Sequence, residues 1–176
     1  MKLLSDFRLL LLGLWLGAAC FFSFAVAPSA FGVLESREMA GSVVNRTLSI
    51  INYSGLIIGL ILLLSSFISR ETTNRFWVWT ERFLLLLLTA ACAVGQFVIA
   101  LWLSVIRAQI GRPVEEVALD EPLRVQFDIW HQYSIWVLGG AMIAALLAFF
   151  IISRKSFNNP KEKVSKDFDF QNEFKI

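Results

Sequence analysis

FLLLLLTAACAVGQFVIALWLSVI, residues 83–106, runs from Phe83 to Ile106 without one charged side chain. A helix rises 1.5 Å per residue, so about 20 mostly apolar residues cross a hydrocarbon core about 30 Å thick. This stretch is long enough to span a membrane. Three more share its character: Leu9–Phe31, Thr47–Ile68, whose start is interrupted by Asn52, Tyr53 and Ser54, and Ile129–Ile152. The chain is 57% hydrophobic with a mean hydropathy of +0.66, above the roughly 45–50% apolar content of soluble domains. The expected fold is all-α: an integral membrane, antiparallel four-helix bundle.

Two processing signals compete with the first span. Lys2 and Arg8 precede a leucine run and Ala25-Val26-Ala27 resembles a signal-peptidase site, yet the apolar run exceeds a signal peptide's h-region and Pro28 follows the would-be cut. Ala18-Ala19-Cys20 resembles a lipoprotein site, but Gly17 stands where an aliphatic residue belongs and Phe21 and Phe22 follow. The span is therefore expected to be retained.

Lys and Arg concentrate in cytoplasmic loops. With four spans, the N-terminus, the second connection and the tail carry Lys2, Arg8, Arg70, Arg75, Arg82, Arg154, Lys155, Lys161, Lys163, Lys166 and Lys175. The other side has only Arg37, Arg46, Arg107, Arg112 and Arg124, outnumbered by acids. Both termini are expected in the cytoplasm, and the chain in the inner (plasma) membrane. The net charge of +2 gives no reason to invoke nucleic acid. Cys20 and Cys92, near mid-span, are expected to behave as small apolar residues.

Residues 1–153 form the expected membrane domain and 154–176 a polar cytoplasmic tail. The tail is expected to face anionic headgroups with its lysines; alternatively, Phe168, Phe170 and Phe174 among acidic and amide residues form a docking segment. The first connection, ESREMAGSVVNR, suits a helix on the outer face or one extending the second span. The third, with Gly111, Pro113 and Pro122, is the expected external lid. Phe76, Trp77 and Trp79 beside Arg75 and Arg82 match an aromatic anchor at the headgroups.

Helices in lipid associate through small residues. Gly13 with Gly17, Gly55 with Gly59, Ala91 with Gly95, and Gly140 with Ala144 and Ala148 supply such pairs. Pro28 is expected to kink the first span and leave the Phe24 carbonyl needing a partner, with Asn52 and Tyr53 as candidates.

Polar groups concentrate toward the outer half: Ser29, Asn52, Gln96, Asp128, His131 and Ser134 are the candidate cluster. Phe127, His131 and Ser134 share one helical face. Asp128 is placed to orient the His131 ring, and Arg124 to pair with Asp128. His131 is foremost a structural hydrogen-bonding residue at the headgroup level, then a proton relay or substrate contact. One His and two mid-depth Cys are too few ligands for a metal site. Gln96 is expected to make an interhelical hydrogen bond. Nothing resembles a nucleophile with its base, a phosphate loop or a cofactor fingerprint, so neither catalysis nor a cofactor is expected.

GLWLGAACFFSFAVAPSAFGVL, residues 13–34, and DEPLRVQFDIWHQYS, residues 120–134, resemble the transmembrane protein 205-like family of small four-span membrane proteins. The second segment carries its F-x-x-x-H-x-x-S pattern as Phe127, His131 and Ser134. It departs from the family at Leu138, where an Asn often stands, and at Asp128, where some members have a second His. The resemblance implies four helices and no established activity. The functional expectation is a non-enzymatic structural or accessory subunit of a larger membrane complex, surrounded by lipid and contacting other subunits or itself. The alternative is a small transporter or permeation module with an outward-facing polar cavity.

Overall fold

The computed structural model describes residues 2–68 and 75–157. Four helices in it are long and apolar enough to cross a membrane: Leu4–Val33, Arg37–Phe67, Arg75–Ile110 and Pro122–Arg154. Among the described residues there is no strand. The second connection's Arg70 and the tail's Phe168, Phe170 and Phe174 lie outside the described residues.

Each span packs on two neighbours, the first and third both lying against the second and fourth. The spans therefore form a four-cornered bundle in which the first and third face each other across the diagonal. Its near end is where the first and third spans begin, and its far end carries the first and third connections. The axial column is apolar: Leu12, Trp15, Ala19, Leu62, Leu85, Leu88 and Cys92 are buried, with Ala141, Ala144, Ala145 and Ala148 closing it from the fourth span. Large apolar side chains turn outward instead, Phe24 being 80% and Trp136 70% exposed. A soluble protein rarely exposes so continuous an apolar surface; in lipid it is the contact with the solvent.

The helices extend beyond the hydropathic stretches at their ends. The second starts at Arg37 rather than Thr47, because Ser36 caps it: the Met39 N–H donates to Ser36 Oγ at 3.1 Å, and Glu38 lies in the first turn. The fourth starts at Pro122, whose missing N–H costs nothing in a first turn. Hydropathy marks the lipid-immersed part of a helix, whereas capping marks its end. The third span stops at Gly111, whose φ of 67° is the left-handed conformation that glycine adopts freely, with its N–H donating to the Arg107 carbonyl at 3.1 Å.

Two of the spans contain a π-helical turn, Phe22–Val26 in the first and Gly95–Ile99 in the third. In the first, the Ala27 N–H reaches back to the Phe22 carbonyl, and Pro28 then opens the segment Ala27–Val33. The extra residue of the wide turn accommodates the ring that would otherwise clash with the preceding turn. Asn52 is not at the Phe24 carbonyl but beside Gly95, where an added Cβ would lie 3.2 Å from Asn52 Nδ2.

The glycines differ in what they meet. A Cβ on Gly55 would come within 2.5 Å of Trp15 Nε1 and 2.6 Å of Cys92 Sγ, and one on Gly59 would overlap Thr89 Oγ1. Gly13 would make only an ordinary contact, 3.5 Å from Phe149, and Gly17 and Gly140 would meet nothing within 4 Å. Gly17→Ala should therefore change thermal stability in detergent by no more than about 0.5 kcal/mol. A loss of several times that would show that the first span packs more closely than this.

Candidate functional site

At the near end, Arg8 of the first span forms an ion pair with Glu81 of the third across the bundle diagonal, Arg8 Nη2 donating to Glu81 Oε1. Both residues are buried, at 3% and 1% exposure. Sequence reasoning counts Arg8 among the basic residues of the cytoplasmic side and gives Glu81 no role. Helical spacing carries the missed signal. Arg8 heads the stripe Leu12, Trp15, Ala19, and Glu81 heads Leu85, Leu88, Cys92, each at steps of four, seven and eleven; both stripes are buried. A charge at the head of a core stripe points inward. Removing one partner of such a pair leaves a bare charge in a medium that cannot solvate it, at a cost of about 3–5 kcal/mol. Arg8 Nε is buried without a hydrogen-bond partner.

Next to the pair, Arg82 holds the end of the second span. Its Nη2 donates to the Ser66 carbonyl at 2.9 Å, and the guanidinium lies 4.2 Å from the Phe67 ring centroid. A cation there complements the negative pole toward which the helix carbonyls point.

Midway along the bundle, Trp15 Nε1 donates to the Ile51 carbonyl at 3.0 Å, and Ser54 Oγ donates to that oxygen at 3.0 Å. Gly55 makes room for the indole and Cys92 beside it. Asn52 is buried against the π turn at Gly95. Gln96, the next residue, is half-buried, and its Oε1 has no partner. The expected interhelical bond from that oxygen is not made.

The far end holds the remaining candidates. Phe127 and His131 stack with their rings 3° from parallel and centroids 6.2 Å apart, and the Arg107 guanidinium lies 5.2 Å from the Phe127 centroid. Asp128 accepts from Arg124 Nε at 3.1 Å, and Arg124 Nη1 also donates to the Val114 carbonyl. The carboxylate's hydrogen bond thus goes to the arginine, and its charge also acts on the imidazole. Ser134 is half-buried, whereas Ser29, Asp128 and His131 are exposed. The six candidates are therefore spread over the bundle: Asn52 and Gln96 at the third span's π turn, Asp128 and His131 on the exterior of the fourth span with Ser134 half-buried, and Ser29 on the outer surface. The stripe led by Ala141 and Ala144 turns Phe127 and Ser134 toward the bundle and leaves His131 a step around the helix. His131→Gln should shift thermal stability by less than about 0.5 kcal/mol, as is usual for exposed sites; a shift of 2 kcal/mol or more would mean a buried role.

Between the first and third connections lies an open cavity of about 770 Å³, lined by residues that include Glu35, Arg37, Glu38, Glu115, Glu116 and Arg124. Neither Gln96 nor His131 belongs to its wall. Among the described residues, no three His, Cys, Asp or Glu side chains gather as a metal site would require.

Comparison with protein families gives one match, to a domain of unknown function, DUF4149, over residues 10–112. The match takes in the first three spans and ends before Phe127, His131 and Ser134. No curated protein and no solved structure matches the chain.

Proposed function

From the premise that the chain belongs to the DUF4149 family, we propose that it is a non-enzymatic accessory subunit of a larger membrane complex, acting through the outside of its bundle. One observation carries this reading: the axial column is filled with apolar side chains, while His131, Tyr133 and Trp136 of the fourth span face outward. His131, Tyr133, Ile135 and Trp136 are all exposed there. Interfaces favour such aromatic and amphipathic residues. A transporter would instead place polar groups along a path through the bundle, and the far-end cavity does not reach Gln96.

The excess of Lys and Arg on the near-end segments supports termini in the cytoplasm and a home in the inner (plasma) membrane. The pattern Phe127, His131, Ser134 supports a closer kinship with transmembrane protein 205-like proteins. The deciding experiment places a photo-crosslinking residue at Trp136 in native membranes. One discrete polypeptide adduct, lost when the crosslinker is moved to buried Ala145, supports the reading. Adducts with lipid alone, together with purification as a free monomer, exclude it.

A further inference from the structure

The first and third spans can be superposed in sequence by a single shift. Arg8 and Glu81 are 73 residues apart, and the same step carries Leu12 to Leu85, Trp15 to Leu88, Ala19 to Cys92 and Phe22 to Gly95, every one of them buried. A helical period alone would generate such matches at several shifts. The π turns remove that freedom, because Phe22–Val26 moves onto Gly95–Ile99 by the same step. The neighbours agree as well, since each of these spans is flanked by the second and the fourth.

The chain thus runs as two helical hairpins, residues 2–68 and 75–157, whose first helices are related by a pseudo-two-fold axis along the bundle. Arg8 and Glu81 occupy equivalent positions and meet on that axis. A true two-fold would set like against like there; opposite charges make the contact attractive. At the far end of the same axis, the cavity of about 770 Å³ opens between the two connections that the operation exchanges. The column between is shut by apolar side chains, and among the described residues its near end carries the Arg8–Glu81 contact, with Arg8 Nε buried and unpartnered and Arg82 of the third span bonded to Ser66 of the second beside it.

We propose that Arg8–Glu81 is a charge lock on this axis, whose opening separates the hairpins at the near end and admits water to the axial column from that side. Cys92 reports on the opening. It lies on the Glu81 stripe, eleven residues along and about 16 Å deeper, and is 1% exposed.

The test uses the full chain in sealed vesicles of both orientations, with the side bearing the C-terminal tail identified by a protease-sensitive tag. A charged, membrane-impermeant maleimide is added, and Cys92 labelling is read by peptide mass spectrometry. Arg8→Gln and Glu81→Gln are expected to raise Cys92 labelling about tenfold or more, as local opening replaces closure, and only from the tail side. The exchange Arg8→Glu with Glu81→Arg is expected to return labelling to that of the parent, because the two positions are equivalent. Unchanged labelling in folded single variants overturns the proposal, as does labelling that rises equally from both sides. Where the single variants do not fold, the exchange decides: a folded, protected protein supports the lock, and an unfolded or labelled one overturns it.

Discussion

Glu81→Leu alone is expected to lower the unfolding free energy by about 3–5 kcal/mol, because it leaves the buried Arg8 guanidinium without its counter-charge. Leucine restores much of the lost volume, so the deficit belongs to the uncompensated buried charge rather than to a cavity. Arg8→Leu with Glu81→Leu should recover most of the loss and can equal the parent, since replacing a buried pair by apolar residues of similar size is often neutral or stabilising. The measurement is reversible unfolding in mixed detergent micelles, followed by circular dichroism. A double variant as unstable as Glu81→Leu would show that packing, and not charge compensation, dominates at this site.

The second large effect is expected at the glycines of the second span. Gly55→Ala places a methyl group within 2.5 Å of Trp15 Nε1 and 2.6 Å of Cys92 Sγ. The indole has little room to withdraw, because it is tethered to the Ile51 carbonyl. Overpacking of this kind costs about 1–3 kcal/mol. Gly59→Ala conflicts chiefly with the Thr89 hydroxyl, so Thr89→Ala should rescue it in part, leaving a 3.3 Å approach to the Thr89 Cβ position. No such rescue is expected for Gly55→Ala. Thermal midpoints of the four variants, compared with that of Gly17→Ala, measure this contrast. Equal losses at Gly17 and Gly55 would contradict the closeness of the second span to the first and third.

These contrasts show what was legible in the sequence. The four spans follow from uninterrupted apolar length, which is a property of the chain before it folds. Their ends do not, because Ser36 and Pro122 act through capping in segments too polar for hydropathy to include. The GxxxG spacing offers Gly13, Gly17, Gly55 and Gly59 alike, and only the neighbours that each meets tell them apart. The candidate polar cluster joins different helices by depth, and helical spacing relates only its members on the fourth span. Residues at one depth can face any direction around a helix, and so Asn52 lies against Gly95 while His131 faces outward. Conversely, Arg8 and Glu81 were open to discovery through their spacing from the core residues that follow them. Counting basic residues for orientation treats an arginine as a headgroup anchor whichever way it points.

The alanines of the fourth span have a further consequence. Ala141, Ala144, Ala145 and Ala148 have no rotamers to lose, so burying them orders backbone but freezes no side-chain motion. Leucines such as Leu62 and Leu85 each give up about 0.5–1 kcal/mol of that freedom on entering the core. The alanine face has its final shape as soon as its helix has formed, and joining the bundle requires no rearrangement of it.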